Sequence, residues 1–396
     1  MLGPRATRPK AAGPPGAGGA PSAADTAAAA GEAFLASYLD DRLQEARRVD
    51  AVFAEEVAGR VAAFVLRGGK RLRTAFVWCG WLAAGRGGDP GTPVRIGAAL
   101  ELLQACALVH DDVMDGSPVR RGGPAVHADF ARTHREGGLR GSATSYSTAA
   151  AVLAGDLALA WADDLFTDTA LASPHGDRLH REWRAMRAET VAGQYLDLRA
   201  QATGSSDGDE ARNIATLKSA LYTVERPLAL GAASVAADAR TMDALRSAGR
   251  STGLAFQLRD DLLGAFGDPA QTGKPADEDL RGRKLTYLLA VAVRRATEAG
   301  DADALAALGS DGAPRTEAGI DRMRAALERT GARAAVEEEI AALVASGLAH
   351  FAACGADARA RREFASLVER AVGAPPAGDT EKRAVAAPPA GGGGEA

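Results

Sequence analysis

The sequence predicts an all-α protein, on three observations. Aromatic residues make up only 5% of the 396 residues, whereas strands draw on aromatic and β-branched side chains. The chain is loaded instead with Ala, Leu, Arg and Glu, all good helix formers. Between its two ends the helical spacing of apolar residues is nearly continuous. Hydrophobic residues at 46% and charged ones at 25% fit a globular protein of one large domain or two ordinary ones. A formal net charge of -4 is too balanced to point to nucleic acid as a partner. Cys79, Cys106 and Cys354 form no CxxC pair, which fits a reducing interior and argues against a disulfide scaffold or a zinc site.

Residues 1–30 and 374–396 are rich in Ala, Gly and Pro, cannot bury enough surface to offset ordering entropy, and are expected to be disordered tails. Arg5, Arg8 and Lys10 are not followed by the apolar core of a signal peptide. No apolar run approaches the roughly 20 residues that span a bilayer; the longest candidate, 149–162, is broken by Asp156. A cytoplasmic protein without a membrane span is expected. Helices are expected over 31–48, 50–66, 71–85, 92–115, 145–168, 176–201, 211–224, 227–237, 241–267, 284–299, 316–330, 332–353 and 357–372. Gly68-Gly69 and Asp89-Pro90-Gly91 punctuate the early helices. Two polar, Gly-containing stretches, 117–144 and 268–283, read as long loops, which tend to be functional in a compact helical domain. With no fixed-period repeat and no Pro/Ser linker in the middle, 31–373 reads as one domain.

The helix over 92–115 aligns Ile96, Ala99, Leu100, Leu103 and Ala107 on a buried face and ends in His110-Asp111-Asp112-Val113-Met114-Asp115. Asp111 and Asp115 lie four apart, so their carboxylates share a face at the negative end of the helix dipole. A hard divalent cation would compensate, and Mg²⁺ characteristically shares one or two carboxylates with substrate phosphates. Arg120-Arg121 follows, two guanidiniums suited to bidentate phosphate contact. A second apolar helix carries Asp260-Asp261, and downstream come Thr272-Gly273-Lys274-Pro275 and Arg281-Gly282-Arg283-Lys284. An early loop-to-helix junction reads Gly68-Gly69-Lys70-Arg71-Leu72-Arg73, where free N–H groups favour anions. Lacking GxxxxGK[ST] and a preceding strand, it is not a P-loop. Each basic stretch alone reads as solvated surface. Two Asp pairs with three Gly-associated basic loops suit a site for two diphosphates, one approached by metal and one by Lys and Arg alone.

These residues resemble the trans-prenyl diphosphate synthases, over roughly residues 31–373. Residues 68–73 are similar to that family's GGKRxR, 101–127 to its first Asp-rich motif with RRGxPxxH, and 256–284 to its second, FQxxDD through GDxxxxGKP to a final Lys. Ala154-Gly155-Asp156, Gly193-Gln194 and Lys218 resemble its central markers. The resemblance implies an all-α, isoprenoid synthase-type helical bundle around a deep central apolar cavity, with the Asp clusters facing each other at its mouth. It implies Mg²⁺, three ions per active site, on Asp111, Asp115 and Asp260 with help from Asp112 and Asp261. Arg120, Lys218 and Lys284 would hold the allylic diphosphate, with Lys274 nearby, and Gln257 belongs to the same substrate-binding motif. Gly69, Lys70, Arg73 and Arg121 would hold isopentenyl diphosphate, with Gln104 where the family often has His. Ionising an allylic diphosphate needs its leaving charge stabilised, which several cations in a water-poor site do well. Phe256 would present a ring face to the allylic cation or serve as a core aromatic. The resemblance also implies a homodimer.

The match departs at Gly264, where the second motif usually has its third aspartate; Asp268, a turn on, is a substitute through water. Thr74 stands in place of a common Pro, and 133–145 is longer than the usual linker. Cys106 and Ala107, five and four residues before Asp111, lie under the growing chain and are small where farnesyl synthases commonly have an aromatic. Leu103 and Leu100 form deeper floors, so a C20 product, geranylgeranyl diphosphate, is expected. A longer-chain synthase, a class I terpene cyclase and a non-catalytic regulatory subunit of a synthase stay open as alternatives. The isopentenyl pocket argues against the cyclase, and only Gly264 favours the subunit.

Overall fold

A computed structural model describes residues 23–267, 277–309 and 316–373. Lys274 and Asp268 therefore lie outside the described residues. Helix α1 spans Ala23–Val49. Helix α2 runs through Ala51–Phe53, a π-helical turn Ala54–Ala58, and Gly59–Leu66. Next come α3 (Leu72–Ala83), α4 (Gly91–Asp115), a hairpin of β1 (Val119–Arg120) and β2 (Gly123–Pro124), and α5 (Val126–Glu136). Helices α6 (Ala143–Leu171) and α7 (Gly176–Thr203) follow. Helix α8 is one rod of Gly208–Ala215, a π-helical stretch Thr216–Glu225, and Arg226–Ala233. The chain continues through α9 (Ala239–Phe266), α10 (Glu278–Gly282), α11 (Tyr287–Ala299) and α12 (Ala302–Leu308), to α13 (Glu317–Arg329), α14 (Ala332–Ala353) and α15 (Ala358–Val372).

The all-α expectation holds, and its departures have local causes. Helix α1 starts at Ala23, inside the segment expected to be a tail, because 27–30 is an alanine run and Ala27 finds a buried seat. Half of the long polar stretch 117–144 is helical: α5 buries only Val126, Phe130 and His134, a face too narrow for periodicity to reveal. The two helices expected over 211–224 and 227–237 are continuous. Pro227 lacks the N–H that a regular α-helical bond would need, and it falls directly after the widened π turns. The hairpin pairs Val119 with Pro124 and Arg120 with Gly123, leaving Arg121 and Gly122 at the turn with φ of 54° and 69°. Both values are positive, as a two-residue type I′ turn requires.

Two apolar cores lie side by side. One joins α1, α2, α4, α6 and α7, with Phe166 stacked on Trp183 at 4.2 Å between ring centroids. The other joins α3, the later part of α8, α9 and the helices from α11 onward. Helix α4 is long and apolar enough to cross a membrane by length and composition, contrary to the reading from continuous apolar runs alone. Most of it is buried against the neighbouring helices, as for the central rod of a bundle. Each core contributes one aspartate-bearing helix end, α4 from the first and α9 from the second. Trp183 fills the first core and donates through Nε1 to Asp163 at 2.6 Å. Trp183→Ala should lower unfolding free energy by about 3–5 kcal/mol in urea titrations; a loss below about 1 kcal/mol would mean that the site collapses around the gap.

Candidate active site

Helix α4 delivers Asp111 and Asp115 to one face and stops at Gly116, whose left-handed backbone (φ 67°) turns the chain out of the helix. Two like charges at the negative helix end need cations, and the fold supplies them from three distant elements. Lys218 Nζ lies 3.2 Å from Asp111 Oδ1, and Arg120 lies 3.5 Å from its other oxygen. Lys284 Nζ lies 2.7 Å from Asp115 Oδ2. Gln194 also donates to Asp111, at 3.3 Å. Burial works against charge on Asp111, but Lys218, Lys284 and Arg120 outweigh it and hold its carboxyl below the usual range. Asp115 is pushed upward, by burial first and by Asp111 second, against the pull of Lys284.

Asp112 is turned toward an arginine. It lies about a quarter turn round the helix from its neighbours, is fully buried, and accepts from Arg120 Nε at 2.7 Å. It anchors the arginine that reaches Asp111. The hairpin turn sends Arg120 and Arg121 in opposite directions. Arg121 donates to the Phe64 carbonyl at 3.2 Å and sits over the Phe64 ring. Arg73 lies over the Tyr222 ring at 4.2 Å and donates to the Thr223 hydroxyl at 3.0 Å. Arg71, between Lys70 and Arg73, is structural: its left-handed backbone precedes α3, and its guanidinium is buried on Glu101 at 2.7 Å. Lys70 and Gly69 are exposed at the same loop. Arg73 Nε, Gln104 Oε1 and the Tyr222 hydroxyl are buried without a hydrogen-bond partner among the described residues. Buried polar atoms are normally paired, so this second basic pocket has the makings of a polar ligand site.

Across the cleft α9 carries Asp260 and Asp261. Gln257 donates to Asp261 at 2.7 Å, and half-buried Phe256 packs on the second core. Burial first, then Asp279 and Asp260, push the Asp261 carboxyl up to about 8. Lys284 lies 2.7 Å from Asp115 and 3.6 Å from Asp279, joining the first cluster to α10. Burial opposes its charge, yet Asp279 and Asp115 raise its pKa above the ordinary lysine value.

Two acidic residues here escaped the reading of the sequence. Asp197 accepts from Lys218 at 2.6 Å. Its signal was the Gln194-x-x-Asp197 spacing, one helical turn on a segment already marked by Gly193. A Cβ at Gly193 would stand 2.3 Å from the Lys218 backbone nitrogen, so the glycine lets α7 approach the π-helical stretch that aims Lys218. Asp279 sits on the short helix α10, in a stretch that reads as loop. Gly155 is a similar close contact: a Cβ there would overlap the His110 ring, whose Nε2 donates to the Val152 carbonyl 3.1 Å away.

Among the described residues no three His, Cys, Asp or Glu side chains are already gathered as a metal cage. The donor set nonetheless fits a hard dication. It is all carboxylate oxygen, its like charges raise one another's pKa values, and Mg²⁺ usually completes its shell with substrate phosphate and water. A cavity of about 320 Å³ between α1, α3 and the start of α4, lined by Phe34, Trp78, Pro90 and Val94, lacks such donors.

Asp261 generates a pH prediction. Its folded value near 8 exceeds the ordinary 3.8, so between those values the folded state keeps a proton that the unfolded chain has released. Its contribution to stability is full at low pH and is lost as pH rises through about 8. In metal-free buffer the thermal midpoint of the parent should fall more steeply from about pH 5 to about pH 8 than that of Asp261→Asn. Parallel slopes would show the carboxylate already ionised.

The polyprenyl synthetase family model matches residues 55–323. A geranylgeranyl diphosphate synthase of Mycobacterium tuberculosis is 34% identical over 285 residues, covering 70% of this chain and 74% of that one. A geranylfarnesyl diphosphate synthase of Aeropyrum pernix is 28% identical, covering 62% and 73%. The crystal structure of a geranylgeranyl pyrophosphate synthase from Corynebacterium glutamicum, complexed with isoprenyl diphosphate and magnesium, superposes with a TM-score of 0.83 at 35% identity, covering 88% of this chain and 98% of that one. Agreement of fold, motif order and sequence leaves one assignment: the chain belongs to the polyprenyl synthetase family of trans-prenyl diphosphate synthases, which are transferases.

Proposed function

We propose that the protein is a Mg²⁺-dependent prenyltransferase that condenses isopentenyl diphosphate with an allylic diphosphate and releases geranylgeranyl diphosphate. The carrying observation is the convergence of Lys218, Lys284 and Arg120 on Asp111 and Asp115, beside a separate basic pocket. Asp111, Asp115 and Asp260, aided by Asp261, would hold Mg²⁺, and Asp112 would act through Arg120. When bound, the metal supplies charge neutralisation for the departing diphosphate. Arg120, Lys218 and Lys284, now on aspartates, are placed to turn their N–H groups to the allylic diphosphate, with Lys274 as a further cation outside the described residues. Gly69, Lys70, Arg73, Gln104 and Arg121 receive isopentenyl diphosphate, and Tyr222 joins them through its buried hydroxyl. Phe256 and Gln257 line the α9 side, where the ring face favours positive charge developing on the allylic carbon. The alkene of isopentenyl diphosphate attacks that carbon, and loss of a proton completes the step.

Support for a C20 product lies below Asp111. Leu100, Leu103 and Cys106 are buried in the same apolar cluster as Ala151, Ala154 and Ala158 of α6, and Ala107 is half-buried. Small residues on both sides would let a chain grow beyond C15, and the leucines would set its floor. Relatives named as farnesyl, geranylgeranyl and geranylfarnesyl diphosphate synthases bracket this choice. A homodimer is part of the same reading. Large apolar residues are exposed on two neighbouring helices: Val152 and Leu153 on α6, Val191 and Tyr195 on α7. Such a patch marks an association surface.

Purified enzyme given Mg²⁺, isopentenyl diphosphate and each allylic primer should accumulate geranylgeranyl diphosphate, and Ala107→Phe should shift the product to C15. Products of C30 or longer, or an unchanged product in the variant, would sink the cavity account; failure to consume isopentenyl diphosphate would sink the synthase reading. Light scattering should give a dimer mass, and the pair Leu153→Glu and Val191→Glu should lower it to that of a monomer. A parent of monomeric mass would remove the dimer.

A further inference from the structure

Arg120 and Arg121 are neighbours in the chain, yet they serve two different pockets. Arg120 is fixed through its own side chain, which donates to buried Asp112 at 2.7 Å. Arg121 has no carboxylate partner among the described residues. Its guanidinium donates to the Phe64 carbonyl at 3.2 Å, and a Cβ on Gly69 would stand 3.5 Å from its Nη2. Its place therefore depends on how the hairpin turn is held. A two-stranded hairpin is marginal in water and needs support from outside.

That support comes from Arg67, which caps the C-terminal end of α2 and precedes the 68–73 stretch. Its Nη1 donates to a carbonyl on each strand, to Arg120 at 3.4 Å and to Pro124 at 3.1 Å. Phe64 lies three residues back on the same helical face. The guanidinium carbons of Arg67 and Arg121 lie 5.7 Å and 5.2 Å from the centre of its ring. One helix end thus carries the strut, the ring and the carbonyl that seats Arg121. The second strand leaves room for the strut. A Cβ on Gly123 would stand 2.9 Å from Arg67 Nη1, closer than real Cβ atoms come to a neighbour. Gly123 has no positive φ, so a side chain there would disturb this contact rather than the backbone.

We propose that Arg67 is a positioning residue for the isopentenyl diphosphate pocket: by bridging the two hairpin strands it sets the place of Arg121. The inference rests on the synthase reading above. Arg67 acts through Arg121, and its grip suits an arginine, whose terminal nitrogen offers two N–H groups in a fixed plane to two carbonyls. It also accounts for glycine at 123, where a methyl group would push the guanidinium off the hairpin.

Initial rates of the full-length enzyme, with each substrate varied in turn, separate the two diphosphate sites. Arg67→Met keeps an apolar stem and removes the grip. It should raise the KM for isopentenyl diphosphate by about 10-fold, the scale of one hydrogen bond to a charged group. The KM for the allylic diphosphate should stay within about 2-fold of the parent, because Asp112 holds Arg120 independently. Gly123→Ala displaces the arginine without changing any charge and should move the same constant in the same direction. The double variant should be no worse than Arg67→Met, as expected when two changes break one contact. Thermal midpoints identify a variant that has failed to fold. Gly123→Ala, whose added methyl has atoms of the Arg67 side chain as its nearest neighbours, then carries the test. A parent-like KM in Arg67→Met, an equal rise for both substrates, or losses that add in the double variant would each overturn the proposal and leave the synthase reading intact. A parent that does not consume isopentenyl diphosphate would overturn both.

Discussion

Helix α4 ends by carrying two carboxylates, one turn apart, into a half-buried cleft where its own dipole is already negative. Left alone, that arrangement would expel the helix end to solvent or protonate it. The surrounding structure is organised to hold the charge in place. Lys218 comes from the π-helical stretch of α8, Lys284 from the link before α11, and Arg120 from the hairpin that follows α4. The cations are themselves held by further acids, Asp197, Asp279 and Asp112. Alternating charge of this kind favours the ionised forms of Asp111, Lys218 and Lys284 against burial, while Asp115 is still pushed upward.

The alternation also suits the proposed chemistry. Lysines and arginines paired to carboxylates in this arrangement have an obvious alternative partner in a diphosphate, and the carboxylates they release have one in a divalent cation. Substrate and metal would enter together by exchanging ion pairs, with little net change in buried charge. The second basic pocket follows another logic. Arg73 and Arg121 lie over aromatic rings with no carboxylate partner among the described residues, and Arg71 takes the Glu101 charge. An anion can dock there on guanidinium alone.

Much of this was legible in the chain. Helical periodicity, glycine at loop junctions and the order of the acidic and basic motifs are local properties, written within a few turns of one another. The family resemblance they carry implied that Asp111, Asp115, Asp260, Lys218 and Lys284 share one cleft. What escaped was either too short to be periodic, such as α5 and α10, or indistinguishable by type from its neighbours, such as Asp112 beside Asp111. Composition also misplaced the start of α1, because an alanine run reads as low-complexity tail until it finds a surface to pack on.

The sequence by itself determined the all-α class, the two carboxylate helices and the supply of cations around them, because each depends on residues close together in the chain. Only the tertiary structure decided which carboxylate faces which cation. Lys284 and Asp115 are 169 residues apart and Lys218 and Asp111 are 107, and no local rule couples them.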